Sequence, residues 1–161
     1  MTSRADAVHQ ITNLLYGYAE ALDRGDLEAV AAYFEHCTIH VDGLPNRAHG
    51  SAEVLEFFRP VKFYKGDSTA DQRDPASVPA TKHLTTNAII EVSADLHTAT
   101  ARSYFTVIQA RPDFALQPII AGRYHDRFEC VEGRWRFVER LEFIDLVGDL
   151  SRHLEMTIPA R

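Results

Sequence analysis

The sequence has 161 residues, of which 45% are hydrophobic and 25% charged. This composition fits one folded domain with a sizeable core, taken as residues 1–161, and excludes a disordered or fibrous chain. A formal charge of −6 and no Lys/Arg cluster argue against nucleic acid, whose binding rests on cations set against phosphates.

Cys37 and Cys130 are too few for a disulfide framework or a zinc site, and a reducing compartment suits them. No apolar run is long enough for a bilayer span. Met1-Thr-Ser-Arg-Ala-Asp-Ala carries no signal-peptide core. The expectation is a cytoplasmic protein without membrane contact.

Val8, Ile11, Leu14, Leu15, Tyr18 and Leu22 recur at helical spacing. That helix should stop near Asp23-Arg24-Gly25, with Gly25 in the left-handed position. Asp26 is a good N-cap for a second helix, striped by Leu27, Val30, Tyr33 and Phe34. Thr38–Val41 reads as a short strand ended by Asp42-Gly43. Gly50 and Ser51 open a third helix with Val54, Leu55 and Phe58 on its buried side. Residues 66–79 are polar and read as a loop beside a pocket.

The second half is rich in β-branched and aromatic residues. Residues 83–92, 99–110, 119–131 and 135–146 read as long strands joined at 94–97, 111–113 and 132–133. Helices followed by an antiparallel run is the α+β pattern. Such a long meander curls into a cone closed by the three N-terminal helices, leaving room for a ligand cavity.

The segments Tyr16-Gly-Tyr-Ala-Glu-Ala-Leu-Asp-Arg-Gly-Asp-Leu, Lys82-His-Leu-Thr-Thr-Asn87 and Gly122-Arg-Tyr-His-Asp-Arg-Phe resemble SnoaL-like (NTF2-like) domains. So does Glu132-Gly-Arg-Trp-Arg-Phe, and the resemblance runs from Val8 to Leu146. It implies a strongly curved mixed or antiparallel sheet, of the cystatin-like α+β barrel kind, around one small-molecule pocket. The nearest branch contains scytalone dehydratase, bile acid 7α-dehydratase and hexachlorocyclohexane dehydrochlorinase. Those enzymes pair an Asp at the end of the first helix with a His at the start of the long sheet, which match Asp23 and His83. Tyr18 matches a Tyr of the bile acid enzyme. Leu22, Gln109, Gly122, Tyr124 and Val107 stand where relatives carry other accessory groups.

The chemistry implied is general-base catalysis without a metal or organic cofactor. A neutral His titrates near pH 7, and a carboxylate on its other nitrogen fixes the tautomer and stabilises the imidazolium. Dehydration or isomerisation of a hydrophobic cyclic or polycyclic molecule suits such a dyad. A phenol such as Tyr18 or Tyr124 could stabilise the developing oxyanion. Asn87 shares a strand face with His83 by the period of two. Val107, Gln109, Tyr124, Arg140, Glu142 and Ile144 are taken as substrate-lining residues, with Arg140 also open to an ion pair with Glu142 or Asp145. Tyr18 and Asp23 pose a geometric problem, since five residues are roughly 140° round a helix.

Three alternatives stand beside this reading. The chain could be an accessory module resembling the small subunit of ring-hydroxylating dioxygenases. It could be a polyketide cyclase, with Glu142 as the acidic group. Tyr18 could serve core packing alone, and Arg140 a structural ion pair. The remaining histidines show no spacing suited to a metal. Homo-oligomerisation, as a trimer or a dimer, is expected from the apolar outer face of such a sheet.

Overall fold

A computed structural model describes residues 3–66 and 77–155. Most of the expected 66–79 loop therefore lies outside the described residues. The rest form three helices and a six-stranded mixed sheet.

Helix α1 spans Arg4–Asp23 and begins earlier than its apolar stripe, at a capping box. The Ser3 hydroxyl accepts from Asp6 N at 3.1 Å, and the Asp6 carboxylate accepts from Ser3 N at 2.9 Å. The helix ends where expected, with Gly25 at φ +74°. Asp26 caps α2 (Leu27–Tyr33) by accepting from Ala29 N at 3.0 Å. The two helices approach closely at Gly17, where any side chain would strike the Tyr33 ring.

Strand β1 (Thr38–Val41) is followed by β2 (Arg47–His49), a strand too short to read from the sequence. Then come α3 (Gly50–Phe58), β3 (Thr81–Val92), β4 (Thr98–Arg111), β5 (Phe114–Val131) and β6 (Arg134–Val147). The sheet order is β2-β1-β6-β5-β4-β3. The four long strands are antiparallel neighbours, as expected, while β1 pairs parallel with β6. Among the described residues the sheet does not close on itself, and β2 and β3 are its edge strands.

Curvature comes from irregularities in every long pairing, including those at Thr86/Ile89, Val107/Ile108 and Ala121/Gly122. At Gly122 a Cβ would overlap the Phe143 carbonyl oxygen and crowd the Phe105 ring. The backbone can bend there only because that residue is glycine.

The concave face carries the core. Ile11 and Leu15 of α1 and Phe34, which follows α2, share one buried cluster with Phe128 and Phe137 of the sheet. Inward positions alternate along β4 from Ala99 to Gln109.

Candidate functional site

Asp23 is the last residue of α1, and β3 runs beside that end of the helix. Its carboxylate is fully engaged. Oδ1 lies 2.6 Å from His83 Nδ1 and accepts from the Thr81 hydroxyl at 3.0 Å; Oδ2 accepts from His83 N at 3.0 Å. Both side chains are 7% exposed. Burial alone would raise the Asp23 carboxyl, but the His83 hydrogen bonds and charge, with Thr81, outweigh it and hold it below its ordinary value. An ionised carboxylate only accepts, so in the neutral ring His83 Nδ1 carries the proton and Nε2 is the acceptor.

His83 lines a cavity of about 730 Å³ that lies between α1, α3 and the concave sheet. Tyr18 lines it too, whereas Asp23 does not. This removes the angular difficulty on α1. Tyr18 faces the cavity directly, while Asp23 leans the other way and reaches it through the His83 ring.

The cavity wall is mostly apolar, with Phe57, Phe58, Phe105 and Ile120 prominent. Val107, Tyr124, Glu142 and Ile144 line it, at the positions expected of them. Glu142 bears no formal ion pair among the described residues. Burial pushes its carboxyl up to about 7, with Arg140 opposing and Asp126 adding to the rise. Burial likewise raises the Tyr18 and Tyr124 phenols, so both remain neutral donors.

Three expected lining residues lie elsewhere. Asn87 is exposed at φ +53°, inside the β3 irregularity between Thr86 and Ile89. One extra residue there reverses the alternation that would have aligned Asn87 with His83. Gln109 is buried outside the cavity, where Nε2 donates to the Pro79 and Arg152 carbonyls, both at 3.0 Å.

Arg140 is fully buried beneath the cavity wall, and its partner is Asp126 rather than Glu142 or Asp145. The pair is bidentate, at 2.8 and 2.9 Å. The guanidinium also lies 4.5 Å from the Tyr18 ring centroid and 4.0 Å from that of Tyr124. Desolvation would lower its pKa, but the Asp126 charge and hydrogen bonds raise it, so the cation persists. Arg140 thus holds two cavity-lining phenols by their faces.

His153 also lines the cavity, its ring centroid 6.5 Å from that of His83. Nothing in its surroundings, Ser-Arg-His-Leu, marks it as a site residue. It follows the last strand, and only folding brings it to the pocket. Among the described residues, no three His, Cys, Asp or Glu side chains converge to hold a metal ion. Among the described residues, no helix is long and apolar enough to cross a membrane.

Three helices on a curved, open mixed sheet with an apolar cavity define an NTF2-like, cystatin-like fold. The chain belongs to the SnoaL-like domain family, whose model matches residues 3–141. Among solved structures it is similar to a provisionally named scytalone dehydratase from Novosphingobium aromaticivorans. The two are 20% identical over 95% of this chain and 89% of that one, with a TM-score of 0.67. A provisionally named aromatic ring hydroxylase of the same organism is 22% identical over 93% and 98%, with a TM-score of 0.68. ActVI-ORFA from Streptomyces coelicolor is 19% identical over 86% and 96%, with a TM-score of 0.65. At these identities the likeness is one of fold. No curated protein matches the sequence significantly.

Proposed function

We propose that the chain is a small-molecule lyase or isomerase of the dehydratase kind, with His83 as general base and Asp23 as its orienting carboxylate. The observation that carries this reading is the 2.6 Å contact between Asp23 Oδ1 and His83 Nδ1, with His83 on the wall of a large apolar cavity.

In this reading His83 Nε2 takes a proton from carbon, and the C–H electron pair becomes a double bond. In an elimination, a hydroxyl leaves from the neighbouring carbon, taking a proton as it departs as water. In an isomerisation, the proton returns at another carbon. Glu142, protonated below about pH 7, and the phenols of Tyr18 and Tyr124 supply the acid and oxyanion-stabilising groups. The substrate is a hydrophobic cyclic or polycyclic hydroxy compound or ketone, matching the apolar wall.

The test is turnover across a panel of hydroxylated cyclic ketones and sterols, run in D2O with mass-spectrometric readout. Wild type should lose water or exchange a carbon-bound proton. His83→Gln and Asp23→Asn should each lose that activity while staying folded. Retained turnover in both variants overturns the reading.

A cyclase reading is the second, favoured by Glu142 alone, since its carboxyl lines the cavity and titrates near neutrality. There Glu142→Gln would abolish activity and His83→Gln would not. The exposed Leu84, Ile89, Tyr104 and Leu146 support a homo-oligomer, dimer or trimer. A monomer by light scattering at micromolar concentration would overturn that part.

A further inference from the structure

Residues 148–155, which follow β6, form no helix or strand, yet they are tied down from many directions. The His153 carbonyl accepts from Lys62 N at 2.8 Å, and Glu155 N donates to the Pro60 carbonyl at 2.8 Å. The Arg152 carbonyl accepts from the Tyr64 hydroxyl at 2.6 Å and from Gln109 Nε2 at 3.0 Å. Lys62 Nζ donates to the Ser151 carbonyl at 2.9 Å, and Val61 bridges to Leu154. Irregular backbone held this firmly presents its side chains in defined positions.

The side chain it presents to the cavity is His153. The residue is 7% exposed and lines the cavity beside His83. Its Nδ1 is buried and has no hydrogen-bond partner among the described residues. Buried polar atoms without partners are rare in native proteins, because desolvation is not compensated. One carried on a ring that lines a ligand-sized cavity is a candidate for a hydrogen bond from a ligand. Burial, and then the neighbouring His83 charge, hold the ring down to about 4, so it stays neutral, with one donor and one acceptor nitrogen. Leu154, Val107 and Phe105 line the same cavity and make its wall apolar.

We propose that His153 is a ligand-recognition residue which hydrogen-bonds an oxygen substituent, hydroxyl or keto, of a fused-ring ligand at the His83 end of the cavity. This rests on the reading above only in taking the cavity as a ligand site. It does not require His83 to act as a base.

The test uses the full chain and two fluorescent probes of one shape, 2-naphthol and 2-methylnaphthalene. Wild type should bind 2-naphthol about tenfold more tightly, the yield of one well-made hydrogen bond. The His153 ring 15N signals should move on adding 2-naphthol and stay in place on adding 2-methylnaphthalene. His153→Phe should bring the two affinities within about twofold, and His153→Gln, which keeps a donor and an acceptor, should keep part of the preference. In His83→Gln the preference and the His153 shift should persist, so loss of turnover there leaves this proposal standing. No 2-naphthol binding at 1 mM, an unmoved His153 signal at saturation, or an unchanged preference in folded His153→Phe would each overturn it. The wild-type 15N measurement decides the matter even if both variants fail to fold.

Discussion

Asp23 and His83, sixty positions apart, are joined twice: side chain to side chain at 2.6 Å and carboxylate to backbone N–H at 3.0 Å. The contact ties the end of α1 to the edge strand β3 and orients the imidazole at once. Asp23→Asn keeps the shape and removes the charge. It should cost about 2 kcal/mol, since hydrogen bonds to a charged group are the stronger kind. The His83 ring 15N signals, followed by NMR, should differ between the variant and wild type, because Nδ1 then meets a neutral amide in place of a carboxylate. Identical ring signals in both would show that the two residues are not coupled.

The same contact sets an acid limit on stability. The Asp23 carboxyl lies lower in the folded protein than in the open chain. Its contribution is therefore complete above the ordinary carboxylate range, near pH 4, and is lost as pH falls through the lower, folded value. Urea denaturation between pH 6 and pH 3 should show wild type losing more stability than Asp23→Asn.

Glu142 has the opposite sign. Its carboxyl is raised from 4.5 to about 7 in the fold. The folded state then binds more protons than the unfolded chain across that interval, and stability declines as pH rises through it. Glu142→Gln should remove this decline and stabilise the protein relative to wild type at pH 8, by on the order of 3 kcal/mol. Equal pH slopes between 5 and 8 in the two proteins would contradict it.

Arg140 and Asp126 are both fully enclosed. Arg140→Met leaves Asp126 buried without its partner and should cost about 3–5 kcal/mol. Adding Asp126→Leu should restore part of that loss, because an apolar pair leaves no uncompensated charge. The double-mutant cycle, read by urea denaturation, measures the coupling. A double variant less stable than Arg140→Met would refute the argument.

Much of the architecture was legible in the residue pattern because its causes are local. The 3.6-residue stripe marked α1, Gly25 and Asp26 marked the turn that follows it, and β-branched and aromatic runs marked the four long strands. Asp23 and His83 were legible as candidates through motif resemblance. Tyr18, Val107, Tyr124, Glu142 and Ile144 were named largely through the same resemblance, and all five line the cavity.

The exceptions share a physical cause. Parity holds only until a strand irregularity shifts it, and one such shift put Asn87 on the outside. Gln109 kept its inward parity but lies beyond the cavity, where backbone carbonyls from distant segments claim its amide. Arg140 found Asp126 rather than Glu142 because β5–β6 register sets those two residues opposite each other. His153 had no signal at all, since its position depends on where residues 150–155 meet residues 60–64 after α3. Local chemistry in the sequence thus determined the helices, the strands and most of the cavity face. Register, irregularity and contacts between distant segments decided which polar groups meet, because hydrogen bonds and ion pairs require partners within about 3 Å.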